Sequence, residues 1–256
     1  MAEAPDFSRR FGGVARLYGE AGLQRLQAAH VAVIGLGGVG SWAAEALART
    51  AVGRLTLIDL DMVAESNTNR QLHALGDVYG QAKVAAMATR IMGINPACQV
   101  ACIEDFVTLD NLSELLTQDF DVVIDAIDQA RVKVAMIAHC RRQRLPVVVA
   151  GAAGGQLDPT QIRLADLSQT TQDPLLAKVR ASLRREHAFP RQGKFGVAAV
   201  YSTEPLRYPA MDGKRCDSSG AAPQGLNCAG FGSAVCVTSV FGMVAASWAI
   251  NRIALD

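Results

Sequence analysis

The sequence predicts an α/β protein with a doubly wound, mostly parallel sheet and a more irregular C-terminal extension. Short apolar runs typical of buried strands alternate with stretches of helix formers, which favours parallel strands joined by right-handed crossovers. A glycine-rich turn follows the first apolar run, and acidic residues end later ones. At 256 residues the chain can bury a substantial core. We expect a single domain over 1–256, with a nucleotide-binding core over 30–155 and a substrate loop and C-terminal helix over 156–256.

Composition argues against several classes of protein. Half of the residues are hydrophobic and the net charge is +1, so there is no global signal for a polyanion-binding protein. The six cysteines include no C-x-x-C pair, which argues against a zinc knuckle. Because no secretory leader is apparent, we expect reduced thiols and a cytoplasmic location.

The glycine-rich turn predicts a phosphate site. The apolar run 31–34 leads directly into Gly35-Leu-Gly-Gly-Val-Gly40, and residues 41–49 are helix formers without a breaker. Such glycines let backbone N–H groups approach an anion, and the N-terminus of the following helix adds a favourable dipole.

The same region matches a dinucleotide-binding pattern. Gly35, Gly37 and Gly40 have the expected spacing, and the second strand, 54–59, ends at Asp59. An acid in that place can bind ribose hydroxyls. We therefore expect a bound nucleotide, although the glycines alone leave both NAD and ATP open.

The remaining elements continue the alternation of strands and helices. Arginines at Arg9, Arg10 and Arg16 precede the first predicted helix. Helices are predicted over 19–29, 81–94, 109–117, 130–144 and 174–186, and strands over 98–103, 121–128, 146–150, 161–164 and 196–203.

Two later segments have distinctive compositions. The stretch 204–227 is rich in Pro, Gly and Ser and predicts a loop over the site. The stretch 229–250 is uncharged and long enough to span a bilayer. Its many small residues favour a buried or interface helix, so we expect no stable membrane insertion; membrane association through this stretch is the alternative.

Residues outside the glycine turn favour ATP. A dehydrogenase needs only the turn, Asp59 and a hydride-accepting pocket, whereas this chain adds the run 67–71 (Asn-Thr-Asn-Arg-Gln), then Lys83 and Asp128. Cations such as Arg70 and Lys83 can neutralise the charge that grows on departing pyrophosphate. A carboxylate beside phosphates is a natural Mg²⁺ ligand, which is the role expected of Asp128.

Together these motifs resemble those of the E1-like superfamily, which includes MoeB, ThiF and the ubiquitin-activating enzymes. The resemblance covers nearly the whole chain and implies an E1/ThiF-type Rossmann-like fold with ATP and Mg²⁺ as cofactors. It implies that Asp59 holds the ribose, that Arg70 and Lys83 act on the phosphates and that Asp128 binds Mg²⁺. The implied nucleotide-binding residues are Gly35, Gly37, Gly38, Gly40, Asp59, Asp61, Asn67, Asn69, Arg70 and Lys83.

The N-terminal segment adds an expectation about assembly. Arg16, in Arg10-Phe-Gly-Gly-Val-Ala-Arg16, resembles the arginine with which family members reach the ATP of a partner subunit. Its spacing departs from the more usual Arg-Tyr-x-Arg-Gln form. The resemblance implies a homodimer in which Arg16 is a catalytic residue, alongside Arg70, Lys83 and Asp128.

Within the superfamily the chain is similar to the tRNA threonylcarbamoyladenosine dehydratases, through the stretches 10–19, 153–161 and 171–175. This implies a ligase-class enzyme that uses ATP to adenylate N6-threonylcarbamoyladenosine at position 37 of ANN-decoding tRNA. Cyclisation with loss of AMP would follow. The resemblance also suggests a cysteine-desulfurase or sulfur-acceptor partner.

Two alternatives stay open at this point. The first is adenylation of the C-terminus of a ubiquitin-like sulfur carrier, as in MoeB and ThiF, and the second is an NAD-binding or non-enzymatic module. Cys216 and Cys228 lie in or beside the 204–227 loop, where a sulfur-transferring enzyme would place an acceptor thiol. Cyclisation by self-attack needs no protein nucleophile, so we expect both cysteines to be dispensable.

A nearly neutral protein needs a local basic surface to hold tRNA. The densest candidate lies on and after the helix 174–186, and the end of the helix 130–144 is the alternative. The first comprises Lys178, Arg180, Arg184, Arg185, Arg191 and Lys194, and the second Arg141, Arg142 and Arg144.

Overall fold

The computed structural model describes residues 6–116, 119–208 and 231–256. Its strands are β1 (His30–Ile34), β2 (Arg54–Ile58), β3 (Gln99–Ile103), β4 (Val122–Asp125), β5 (Val147–Ala150), β6 (Ile162–Asp166) and β7 (Ala198–Ser202). They form one sheet in the order β3-β2-β1-β4-β5-β7-β6. Neighbouring strands pair parallel, except that β6 and β7 pair antiparallel. The predicted mostly parallel, doubly wound sheet is confirmed.

Helices cover both faces of this sheet. They are α1 (Phe7–Ala28), α2 (Gly40–Arg49), α3 (Lys83–Ile94), α4 (Leu112–Leu115), α5 (Ala130–Gln143), α6 (Pro174–Glu186) and α7 (Val235–Leu255). Successive strand residues point to opposite faces, so Val31 and Val33 join a core with α2, α3 and α7. Ala32 and Ile34 join the other core, with α5 and α6.

Most predicted elements lie within two residues of their observed bounds, and four differ further, among them α7, which is Val235–Leu255 instead of 229–250. α1 begins at Phe7 instead of residue 19, because the Asp6 side chain caps it by accepting the Arg9 N–H at 3.0 Å. Gly19, at φ 74°, kinks the helix at the predicted start. α4 is confined to Leu112–Leu115 instead of 109–117, and residues 117 and 118 are outside the described residues. The strand predicted over 121–128 ends at Asp125, so Asp128 lies in the following loop.

The chain after residue 155 extends the same sheet. β7 pairs with β5, and β6 forms the edge beyond it. The loop predicted over 204–227 is described only as far as Tyr208. Through these two strands, the part of the chain after residue 155 joins the sheet of the predicted nucleotide-binding core.

α7 is the one helix in the described part of the chain that is long and apolar enough to cross a membrane. Within the protein it packs mainly on α2, and Phe241, Ala245 and Ala249 are fully buried. At Gly242 the two helices approach so closely that a Cβ would lie 2.3 Å from the Val39 carbonyl oxygen. This packing supports the interpretation as a buried helix for Val235–Leu255, while residues 229 and 230 lie outside the described residues.

The close approach at Gly242 predicts a stability difference between two helical glycines. Gly242→Ala should lower the free energy of unfolding by about 1–3 kcal/mol, because α7 must move away from α2. Gly93→Ala is the control, since no atom lies within 4 Å of its added Cβ. That variant should be unchanged or up to about 1 kcal/mol more stable, because alanine favours helix. Denaturant unfolding of both variants measures the difference, and equal stabilities would contradict the packing described.

Candidate functional site

A cavity of about 330 Å³ opens at the carboxyl ends of the strands. Loops after β1, β2, β3, β4 and β5 contribute to it, which is where ligands of doubly wound sheets bind. Its lining includes nine of the residues singled out in the sequence: Gly35, Gly37, Gly38, Asp59, Asp61, Asn67, Arg70, Lys83 and Asp128. Three others do not line it: Gly40, Asn69 and Arg16.

The glycine turn is held tightly between β1 and α2. Gly35 has φ 84° and donates its N–H to the Ile58 carbonyl at 2.9 Å. A Cβ on Gly40 would lie 1.8 Å from the Gly35 carbonyl oxygen, so Gly40 permits this packing from outside the cavity. A Cβ on Gly37, by contrast, would meet no atom within 4 Å. No side chain caps α2, so its N-terminal N–H groups can serve an anion.

Asp59 joins the end of β2 to the glycine turn. Its Oδ2 accepts the Leu36 N–H at 2.6 Å and its Oδ1 accepts the Asp61 N–H at 2.8 Å. The buried ammonium of Lys83, at the start of α3, lies 3.8 Å from Asp59 Oδ1 and 2.6 Å from Asp61 Oδ2. These acids hold Lys83 against the cavity, and Asp59 retains lone pairs for a ribose hydroxyl.

Two asparagines shape the loop that presents Arg70. Asn67 is buried and lines the cavity. Asn69 lies outside it, where its Nδ2 donates to the Ser233 carbonyl at 2.9 Å and its Oδ1 accepts from Arg70 Nη1 at 2.9 Å. Arg70 Nη1 also donates to the Ser66 carbonyl at 2.9 Å. Asn69 therefore orients Arg70 and ties its loop to the residues before α7.

Asp128 lies in the loop after β4, exposed to the cavity. Mg²⁺ is usually held by one or two carboxylates together with substrate phosphates and waters, so an accessible carboxylate here fits that ion. Among the residues that the structure describes, no group of three or more His, Cys, Asp or Glu could hold a metal. A metal at Asp128 would therefore depend on the nucleotide's phosphates.

Arg16 is exposed on α1 and does not line the cavity. Its own chain therefore does not bring it to the nucleotide site. The predicted role for this residue depends on a second copy of the chain.

The described cysteines lie outside the cavity lining. Burial raises the pKa of Cys98 to about 11 and that of Cys140 to about 12, which makes both thiols unreactive at neutral pH. Cys102 and Cys236 are exposed elsewhere. Cys216 and Cys228, the two candidate acceptor thiols, are outside the described residues.

A buried charge cluster beneath the cavity was not predicted. Asp125, at the end of β4, and Lys133, on α5, are both fully buried, with Oδ1 and Nζ 2.7 Å apart. Burial raises the pKa of Asp125, and the Lys133 charge opposes that rise. Asp173 caps α6 and accepts the Ala152 N–H at 2.9 Å; burial raises the pKa of its carboxyl as well. This cluster connects the loops after β4 and β5. Its one signal in the sequence is the eight-residue spacing from Asp125 to Lys133.

Other lining residues were not singled out as site residues in the sequence. After β3 come Asp105, Phe106 and Val107, and further along the sheet come residues 151–154, Leu175, Leu206 and Phe231. Ala153, Gly154 and Leu175 lie in the stretches that resemble the dehydratases, and Leu206 lies in the predicted site loop, but no pattern assigned a role to any of them.

The model of the ThiF family matches residues 8–255. The chain is 53% identical to the tRNA threonylcarbamoyladenosine dehydratase of Escherichia coli (strain K12), over 95% of this chain and 93% of that protein. It is 47% identical to the Haemophilus influenzae enzyme of the same name, over 99% of this chain and 96% of that protein.

Solved structures give a similar result. The structure of TcdA (CsdL) matches with a TM-score of 0.89 at 50% identity, covering 99% of this chain and 97% of that one. The E. coli dehydratase TcdA in complex with ATP matches with a TM-score of 0.87 at 49% identity, covering 98% and 97%. By comparison, a molybdopterin-synthase adenylyltransferase of H. influenzae is 29% identical over 63% of this chain and 69% of its own length.

The Asp125–Lys133 pair predicts a large stability effect beneath the cavity. Lys133→Met should lower the free energy of unfolding by about 3–5 kcal/mol near pH 7, because it leaves a buried carboxylate without its cation. This loss of stability should become smaller as the pH falls. Burial raises the pKa of Asp125, so its carboxyl takes up a proton and no longer buries an unpaired charge.

Arg252→Met is the matched control, because its ion pair with Asp256 is exposed and its atoms are 3.5 Å apart. That change should cost less than about 1 kcal/mol. Denaturant unfolding at several pH values measures both variants. Similar losses in the two variants would contradict the role of the buried pair.

Proposed function

The chain belongs to the ThiF family, and we propose that it is an ATP-dependent tRNA threonylcarbamoyladenosine dehydratase. The observation that carries this proposal is the meeting of the glycine turn with Arg70, Lys83 and Asp128 in one cavity, in a chain that matches the dehydratases along nearly its whole length. The reaction activates the threonyl carboxylate of N6-threonylcarbamoyladenosine in tRNA and closes the modified nucleoside into a ring.

The first step needs positioning and charge neutralisation. A carboxylate oxygen attacks the α-phosphorus of ATP, the bond to the bridging oxygen breaks, and pyrophosphate leaves with that electron pair. Arg70 and Lys83 supply positive charge where negative charge grows on the leaving group. N–H groups at the glycine turn and the start of α2 orient the phosphates. Mg²⁺ held by Asp128 would supply further neutralising charge on the phosphates.

The second step needs no protein nucleophile. A nucleophilic atom of the substrate's own carbamoyl group attacks the acyl carbon and loses a proton, and AMP leaves with one former carboxylate oxygen. The net change in the nucleoside is the loss of water. The apolar cavity wall at Leu175, Leu206 and Phe231 shields the reactive acyl-adenylate from solvent water.

The working unit that we propose is a homodimer, with Arg16 of each copy serving the cavity of the other. The support is that Arg16 is exposed on α1 yet outside its own cavity. The placement of α7 in the core favours a cytoplasmic enzyme over a membrane-associated one.

Adenylation of a sulfur-carrier protein is the weaker alternative. Such an enzyme normally uses an acceptor thiol, and no described cysteine lines the cavity. The similarity to a molybdopterin-synthase adenylyltransferase is also much lower than that to the dehydratases. A cysteine-desulfurase or sulfur-acceptor partner stays a prediction, because both candidate acceptor thiols, Cys216 and Cys228, lie outside the described residues.

The two predicted basic clusters support one tRNA-binding surface. α5 packs on α6, and Arg141 reaches the segment after α6, donating to the Phe195 carbonyl at 3.0 Å. Arg184 lies over the Phe195 ring at 5.1 Å, and Arg180 donates to the Thr170 hydroxyl. These three arginines support the surface locally, while six cations stay exposed for phosphate contacts: Arg142, Arg144, Lys178, Arg185, Arg191 and Lys194.

The proposed adenylation predicts strong effects of three substitutions. Arg70→Ala and Lys83→Ala should each slow adenylate formation by more than about tenfold, because contacts to transition-state charge are typically worth about 2.7–4 kcal/mol. Asp128→Asn should slow it through Mg²⁺ and recover in part at high magnesium. Single-turnover release of pyrophosphate in the presence of tRNA measures adenylate formation in each variant. Near-normal turnover in all three variants would exclude this chemistry.

The proposed RNA surface predicts a change in salt dependence. Lys178 and Arg185 lie seven positions apart on the exposed face of α6. Reversing both to Glu should raise the KM for tRNA and flatten its salt dependence by roughly 0.7–0.9 per lost phosphate contact. ATP affinity should not change. The control reverses Arg9 and Arg54, which are exposed on other elements; an equal effect of the control on tRNA would show that the α6 surface has no special role.

A further inference from the structure

We propose that Phe231 is a stacking surface for the modified base of the tRNA, in the half of the cavity formed by the loops after β5 and β7. This rests on the proposed function and names the residue that would receive the second substrate. Three features support it: the distribution of charge along the cavity, the contacts that position Phe231 and the chemistry of an unpaired base.

The order of the strands arranges the cavity in a line. The lining loops follow β3, β2, β1, β4, β5 and β7 in turn, with neighbouring strands about 4.8 Å apart. Asp105, Asp59 and Asp61 lie on the β3–β2 side, and Asp128 lies near the middle. Beyond β4 the lining contains no charged side chain among the described residues: it consists of residues 151–154, Leu175, Leu206 and Phe231.

In the proposed enzyme, ATP occupies the charged half of the cavity. The glycine turn and Asp59 account for the phosphates and ribose of ATP. The attacking carboxylate must reach the α-phosphorus near the centre, so the rest of its nucleoside needs space on the other side. The uncharged half beyond β4 provides that space.

The residue after Phe231 is tied by its backbone to Gly155, which in turn is tied to the segment after β7. Gly155 donates its N–H to the Gly232 carbonyl at 2.8 Å and accepts the Arg207 N–H at 2.8 Å. The Phe231 ring contacts the Tyr208 ring, with centroids 5.3 Å apart. This residue therefore has a fixed position at the cavity wall.

The Gly154-Gly155 pair leaves room for this ring. A Cβ on Gly154 would lie 3.2 Å from Phe231 Cβ, and one on Gly155 would lie 3.1 Å from Phe231 Cδ1. Gly155 also has φ 74°, which disfavours other residues. The turn is fixed further along by the buried Glu204, which accepts the N–H groups of Leu157 and Asp158 at 2.9 and 2.8 Å.

A base of a single-stranded RNA loop suits such a wall. Enzymes that modify a base extrude it into a pocket, and unstacked bases in RNA complexes commonly stack on aromatic side chains. The modified base is planar, and small residues at 151–154 line the cavity beside Phe231. Phe231 would replace part of the stacking that the base loses on leaving the anticodon loop.

Two cavity phenylalanines give a matched test. Phe231→Leu should raise the KM for tRNA about tenfold and leave the Kd for ATP, measured by calorimetry without tRNA, unchanged. Phe231→Tyr keeps an aromatic face and should restore the KM. Phe106→Leu, on the β3 side, should instead weaken ATP and spare tRNA.

The outcomes separate this proposal from the proposed function. If the unaltered protein converts modified tRNA but Phe231→Leu has a normal KM for tRNA, the stacking role is wrong and the enzyme assignment stands. A weaker Kd for ATP in Phe231→Leu would place the nucleotide in this half and also overturn the proposal. If the unaltered protein shows no tRNA-dependent turnover, the proposed function itself fails.

Discussion

The structure depends on the contact between Gly40 and Gly35. With only 1.8 Å between a Cβ on Gly40 and the Gly35 carbonyl oxygen, no side chain fits where α2 begins. This contact lets α2 start directly after the turn, whose residues Gly37, Gly38 and Val39 line the cavity. Asp59 fixes the turn from the side of β2, and α7 buries the opposite face of α2 through Gly242. The phosphate site and the C-terminal helix therefore share one packing arrangement.

The parallel sheet places the charged groups by the order of its strands. Asp59, Asp61 and Lys83 form one ion-paired group, with two carboxylates to one ammonium, at the end of β2, while Asp128 lies across β1 in the loop after β4. Beneath that loop the buried Asp125–Lys133 pair joins β4 to α5. Adenylation depends on these fixed charges near the phosphates. The uncharged cavity wall beyond them shields the reactive acyl-adenylate from water.

The sequence predicted the parts of the site that local pattern determines. The glycine turn and the acid of the next strand have fixed spacings, and a parallel sheet brings strand ends together, so Lys83 and Asp128 could be placed with them. The first half of α1 was missed because its glycines obscure the helical pattern. Lys133 was missed because a lysine eight residues after an acid gives no sign that both are buried. Phe231 was missed because its contacts with Gly154 and Gly155 join segments that are far apart in the chain. Gly40 and Asn69 lie outside the cavity lining and support it, since a spacing pattern does not distinguish a ligand from a support, and the role of Arg16 stays a prediction.

An oxygen-18 labelling experiment tests the central claim most directly, namely that the carboxylate is activated as an acyl-adenylate. The modified tRNA is prepared with oxygen-18 in its threonyl carboxylate and converted with excess ATP in a single turnover. Mass spectrometry then locates the label. An acyl-adenylate predicts one labelled oxygen in the phosphate of AMP and none in pyrophosphate. Label in inorganic phosphate, released together with ADP, would show activation as an acyl-phosphate and would contradict the claim.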